Sequence, residues 1–291
     1  MDFDNGWRAL TRPGRARVYF DRFAGRPFEV EAAAYSPVNA WWLAEISRLV
    51  YREAGRDHHL RRVGLREAGF FSRGGTQGGV VTTVEGAAAP FTVLAFRGTD
   101  GVRDWFTDLD CLRFRWSMGG RVHRGFAKAV LRVWDEIETL LAPLDAPLFV
   151  TGHSLGAALA TLAATLRPAR AVYNFGSPLV GDEEFTERLG AVRLHRLVNN
   201  LDIVTTLPPG WIGLRHGGEL DYIGDGSRVM SSPDPGAIAA DREARRRANG
   251  AETRRRPLGP PQRACDHAPV NYVAHLERAA LVSREKASWT P

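Results

Sequence analysis

The chain has 291 residues, 44% hydrophobic and 25% charged, which supplies a sizeable core and excludes a collagen-like, disordered or disulfide-stapled chain. Its formal charge of +6 comes almost wholly from arginine, with Lys128 and Lys286 the only lysines, and its spread along the chain reads as a solvated surface with no nucleic-acid partner expected. Two cysteines, Cys111 and Cys265, read as reduced thiols, the charged first twenty residues read as no signal peptide, and no run is apolar enough to span a bilayer, so the expectation is a cytoplasmic protein, with signal-independent export the alternative.

In chain order, Ser36-Pro37 reads as a helix cap followed by proline in the first turn. Val38, Trp41, Trp42, Ile46, Leu49 and Val50 then recur at helical spacing through Tyr51. Residues 79–84 and 91–96 read as strands, the second ended by Gly98. From 122 to 141 the set Phe126, Val130, Val133, Trp134, Ile137 and Leu141 again has helical period. Residues 148–151 are a short apolar strand and 157–166 a helix ended by Pro168. Residues 171–175 and 194–198 are further strands, separated by a helical stretch at 182–189. Short buried strands alternating with helices imply an α/β fold, a mostly parallel sheet with helices on both faces, in a single domain over 1–291.

Residues 231–264 stand apart. They hold few large apolar side chains and the arginines Arg242, Arg245, Arg246, Arg247, Arg254, Arg255 and Arg256. Seven arginines against Asp241, Glu243 and Glu252 leave +4 over 241–256. This segment is expected to be a mobile, solvated loop. A patch for nucleic acid or an anionic membrane is the alternative.

Gly152-His153-Ser154-Leu155-Gly156 matches G-x-S-x-G between an apolar strand and a helix, the setting in which that motif has a mechanical meaning. A serine in a tight strand-to-helix turn is lifted clear of the sheet, at a helix N-terminus that favours developing negative charge. A glycine-rich turn with an incidental serine is the bland alternative, and His153 reads as structural. A serine hydroxyl needs a base, and the base an acid to orient it. Of the histidines that follow, His195 lies within a strand, His216 precedes a Gly-Gly turn and His275 lies on a late helix. His267 sits in a loop just before that helix, where a base is expected. Asp202, at the C-terminal edge of strand 194–198, is the preferred acid, and Asp225 a distant second. Asp221 is a further competitor, and Asp266 is too close to His267 in sequence for good geometry.

These residues resemble the class 3 lipase family, typified by secreted fungal triacylglycerol lipases of the α/β-hydrolase fold. The resemblance rests on Phe96-Arg97-Gly98-Thr99, Asp104 to Leu109, Val122 to Phe126, Gly152 to Gly156, Phe175 to Pro178, Val198 to Val204 and Asp266 to Tyr272, in the family's order over roughly residues 36–280. It implies Ser154, Asp202 and His267 as a catalytic triad, and Thr99 and Leu155 as the oxyanion hole. Family members often cover the site with a helix after the oxyanion segment. Here Val102, Trp105, Phe106 and Leu109 fall at i, i+3, i+4 and i+7, a stripe that could close as a lid or simply pack on the core. The expected activity is hydrolysis of acylglycerol-type esters without metal or organic cofactor, with transient contact with a membrane or lipid-droplet surface. A phospholipase, a short-chain carboxylesterase and a non-enzymatic acyl-binding scaffold are the alternatives.

Overall fold

The computed structural model describes residues 3–15, 18–21, 26–99, 112–255 and 258–287. Helices α1 (Trp7–Thr11), α2 (Pro37–Leu49) and α3 (Arg56–Arg61) precede strands β1 (Leu65–Arg73), β2 (Thr76–Thr83) and β3 (Thr92–Phe96). A small antiparallel pair follows, β4 (Arg113–Arg115) with β5 (Arg121–His123), and then α4 (Arg124–Leu141). The central units are β6 (Leu148–His153), α5 (Leu155–Leu166), β7 (Ala171–Phe175), α6 (Glu183–Arg188) and β8 (Leu194–Asn199). The chain ends with β9 (Glu219–Ile223), β10 (Val229–Ser231), α7 (Pro235–Arg255), α8 (Gln262–Cys265) and α9 (Pro269–Ala287).

Eight strands form one sheet in the order β1-β2-β3-β6-β7-β8-β9-β10. The run from β3 to β9 is parallel, and β1-β2-β3 and β9-β10 close its two edges in antiparallel fashion. β3 and β7 are buried at every residue because helices cover both faces, which is why they read as unbroken apolar runs and not as alternating ones. On one face α2 and α9 pack together over Phe149, Tyr173 and Leu197. On the other, α4 and α5 cover Leu94, Val150 and Val172.

The helix at 37–49 forms for the reason its sequence gives. The Ser36 hydroxyl accepts from the Asn39 N–H at 3.0 Å and Pro37 occupies the first turn, a cap worth about 1 kcal/mol. In α4 the buried stripe is Phe126, Ala127, Val130, Val133, Ile137 and Leu141. Trp134 is only partly buried at its margin, and residues 122–123 pair as strand in place of starting the helix.

The segment 231–264 departs from expectation, since 235–255 is helix and not loop. The Asp234 carboxylate accepts from the Gly236 and Ala237 N–H groups at the helix start, Pro235 sits in the first turn, and the run that follows is rich in Ala, Arg and Glu. These are strong helix formers that need no apolar stripe.

The two ends of the chain meet. Asn271 accepts from the Asp4 N–H at 2.9 Å and donates to Asn5 Oδ1 at 3.1 Å, and the Trp7 indole donates to the Leu258 carbonyl at 3.0 Å. No helix among the described residues is long and apolar enough to cross a membrane.

Candidate active site

β6 delivers the chain into α5 through one residue, Ser154, whose φ of +60° and ψ of −126° lie where few non-glycine residues are found. Its N–H donates to the Phe175 carbonyl on the neighbouring strand at 2.9 Å, so the turn is anchored to the sheet. Two glycines make the turn possible by close approach. A Cβ on Gly152 would lie 2.2 Å from the Gly156 carbonyl oxygen, and one on Gly156 would lie 2.3 Å from that of Phe96. Ser154 is nearly buried.

Asp202, just past the C-terminal edge of β8, and His267, between α8 and α9, come together 65 residues apart in sequence. The imidazole Nδ1 lies 2.9 Å from both carboxylate oxygens. The same carboxylate accepts from the Val204 N–H at 2.9 Å and from the Tyr272 hydroxyl at 2.7 Å. Nδ1 therefore carries the proton, which leaves Nε2 as the basic nitrogen. That nitrogen is buried and takes no hydrogen bond among the described residues.

His153 explains how His267 is held against the turn. Its Nε2–H donates to the His267 carbonyl at 2.7 Å, its Nδ1 accepts from the Tyr51 hydroxyl at 3.0 Å, and the two imidazole rings lie with centroids 4.5 Å apart. Burial, with His267 nearby, pushes the His153 imidazole well below its usual range, so it stays neutral and keeps one tautomer.

The other candidates are placed elsewhere. Asp221, fully buried on β9, accepts from His195 at 3.1 Å and from Ser231. His216 donates to the Thr205 carbonyl at 2.7 Å, and burial pulls its pKa down to about 3. His275 meets Ser227 at 2.9 Å in a separate cavity that Asp225 also lines, and burial takes its pKa down to about 4. Asp266 turns away from its neighbour to accept from the Leu201 N–H and Gln262.

Thr99 and Leu155 line one small cavity with Gly98, and the Thr99 hydroxyl is buried without a partner among the described residues. Leu155 is the first residue of α5, where backbone N–H groups have no carbonyl within the helix. The stripe Val102, Trp105, Phe106 and Leu109 lies outside the described residues, as does Cys111. Cys265 is buried, its Sγ 3.7 Å from the Asn5 carbonyl. Among the described residues no three His, Cys, Asp or Glu side chains converge as a metal would require.

Two participants were missed by sequence reasoning. Tyr272 is fully buried, and burial beside the Asp202 carboxylate drives its phenol pKa well upward, so it remains a donor to that carboxylate. Gly176 has φ of +60°, and a Cβ there would stand 2.6 Å from Asp202 Oδ2 and 3.0 Å from His267 Nδ1. Both residues lie within the motif segments, so their positions were noted without the reasons for them.

Residues 93–211, from β3 to the loop past β8, match the model of the class 3 lipases. The lipase of Rhizomucor miehei is 34% identical over 152 residues, 46% of this chain and 42% of that protein. A secreted mono- and diacylglycerol lipase of Fusarium solani is 35% identical over 156 residues, 44% of this chain and 45% of that protein. The chain thus spans less than half the length of these curated relatives. The crystal structure of a mono- and diacylglycerol lipase from Aspergillus oryzae superposes with a TM-score of 0.58 at 25% identity, over 67% of this chain and 84% of that one.

Proposed function

We propose that this chain, a class 3 lipase over residues 93–211 with the α/β-hydrolase fold, is a serine ester hydrolase that cleaves acylglycerol-type esters through an acyl-enzyme on Ser154. The observation that carries the reading is the imidazole of His267, with Nδ1 saturated by Asp202, Nε2 left unpaired among the described residues, and the residue tied through its carbonyl to His153, next to Ser154 in its strained turn.

In the first step Nε2 takes the Ser154 proton as Oγ adds to the ester carbonyl. The oxyanion is held by the Thr99 N–H and hydroxyl and by the Leu155 N–H, each donor worth roughly 3 kcal/mol of barrier. Collapse expels the alcohol, which receives the proton from Nε2. Water, deprotonated by the same nitrogen, then releases the acid and restores Ser154. Asp202 keeps the imidazole in its working tautomer, and Tyr272 and the Val204 N–H keep Asp202 oriented.

Apolar acyl chains are the substrate this reading expects, presented at a lipid surface against which the 102–109 stripe would open. A cytoplasmic site of action rests on the scarcity of cysteine. Appearance of the tagged chain in the culture medium would overturn it.

The test is hydrolysis of p-nitrophenyl esters of increasing acyl length, below and above their solubility limits, with Ser154→Ala as control. Expected is a fall of about 10⁴-fold or more in kcat for Ser154→Ala, with loss of fluorophosphonate labelling. Activity that survives the substitution removes Ser154 from the mechanism. A jump at the solubility limit supports a lipase with a working lid, and a preference for short soluble esters assigns a carboxylesterase.

A further inference from the structure

Helix α7 carries much of the arginine of the 241–256 cluster. The exposed Glu243 pairs with Arg247 at 3.0 Å and, at 3.6 Å, with Arg246, whose side chain is 61% exposed at the cavity rim. Arg242, Arg246 and Asn249 fall at i, i+4 and i+7, one stripe of the helix, and all three line a cavity of about 450 Å³. Asp202, Thr206 and Arg263 line it as well. The cavity therefore reaches the residue that orients His267, although the Asp202 carboxylate itself is fully buried.

Three guanidinium groups around one cavity repel one another unless something neutralises them. Among the described residues Asp202 is the only acidic residue of the lining, and its carboxylate is fully buried, its oxygens taken by His267, Tyr272 and the Val204 N–H. Arg242 gives its Nε to the Asn200 carbonyl at 3.0 Å, which fixes its fork in place. Arg246 meets only the exposed Glu243, at 3.6 Å.

Asn249 supplies an independent sign. It is 8% exposed, yet both its amide nitrogen and its oxygen lack a partner among the described residues. Buried amides are nearly always hydrogen-bonded, so one left open on a cavity marks a place for a ligand.

We propose that this cavity binds a phosphate monoester dianion, contributed by the headgroup of an anionic glycerolipid or by free inorganic phosphate. Planar guanidinium forks match phosphate oxygens in pairs, and a group with close to two negative charges and three terminal oxygens suits three cations and an amide better than a single carboxylate does. The lipid source rests on the hydrolase reading above, whereas the binding site itself does not.

Calorimetric titration of inorganic phosphate into the full chain at constant ionic strength tests the site directly. Wild type is expected to bind, and the combined substitution Arg242→Gln, Arg246→Gln, Arg263→Gln to weaken binding at least about tenfold. Arg247→Gln removes a charge from the exposed face of the same helix and is expected to bind as wild type does. Equal weakening by Arg247→Gln, or unchanged binding in the triple variant, overturns the proposal. Should circular dichroism show the triple variant unfolded, Asn249→Leu replaces it with the same expectation.

Kinetics on mixed micelles then separate the two sources. If the headgroup is the ligand, kcat/KM for phosphatidic acid exceeds that for diacylglycerol of the same chains by about tenfold or more, and the ratio collapses in the triple variant. A ratio of about one in a wild type that binds phosphate assigns the site to the free ion. No phosphate binding together with a ratio of about one overturns the site. A wild type that no fluorophosphonate labels at Ser154 would sink the hydrolase reading and leave the titration to decide on the cavity alone.

Discussion

Asp202 has two sides, and they are built in opposite ways. Facing His267, its oxygens are met by Nδ1, the Tyr272 hydroxyl and the Val204 N–H, with Gly176 pressed against them, and the carboxylate is itself almost wholly buried. Toward α7, Asp202 lines a cavity that its carboxylate does not open onto, with cations on the wall and an Asn249 amide that has no partner among the described residues. Saturation fixes geometry, which a base needs before substrate arrives. Unspent donors wait for a ligand. The same few residues thus carry one surface that is complete and one that is not.

The sharpest way to break the contrast is to crowd the saturated side. Gly176→Ala places a methyl 2.6 Å from Asp202 Oδ2 on a backbone with positive φ. Displacement of the carboxylate and imidazole by a fraction of an ångström is expected to lower kcat about 100-fold, measured on a soluble ester, with a smaller change in KM.

Next in size is Tyr272→Phe. It removes one donor from Asp202 and also leaves the Asn199 N–H, which donates to that hydroxyl at 3.0 Å, without an acceptor. The expected cost is about 1–3 kcal/mol in urea unfolding, with a drop of roughly tenfold in kcat. Unchanged stability would show that water replaces the phenol and that the site is less closed than its burial indicates.

The smallest effect lies on the margin between the two sides. Burial, with the charge of Asp202 adding to it, raises the pKa of Asp266 from 3.8 to about 6, against the pull of Gln262, Arg245 and the Leu201 N–H. An acid harder to ionise in the folded chain than in the unfolded one erodes stability as pH rises from 3.8 to about 6, and the penalty is complete above that. Asp266→Asn is expected to remove this slope and gain on wild type by up to about 3 kcal/mol between pH 3.8 and 7, read from urea unfolding at both. A difference that does not change with pH would mean Asp266 is already ionised at the lower value.

What was legible in the sequence follows the same division. β7 and all but the first residue of β6 are buried, and both begin as short apolar runs, while Gly152 and Gly156 bracket a serine that only a tight turn explains. The edge strands β1 and β10, and β9 beside β10, were missed because, at the margins of the sheet, many of their residues are only partly buried and no clean period forms. Helix α7 was read as a loop for want of an apolar stripe. Its stripe is Arg242, Arg246 and Asn249, polar because it borders a cavity and not a core. Tyr272 carried no signal of its own, since an aromatic early in a helix reads as core until the Asp202 oxygen beside it is seen.

The clasp between the two chain ends sets an order of events during synthesis. The nucleophile turn is complete once residues up to Phe175 have paired, whereas the imidazole comes with residue 267, on a loop fastened to residues 4 and 5 through Asn271. A chain still growing on the ribosome would therefore display Ser154 with no base to activate it. On the proposed mechanism, membranes near the site of translation would meet an inert intermediate, and competence would switch on only when Asn271 had joined residues 4 and 5.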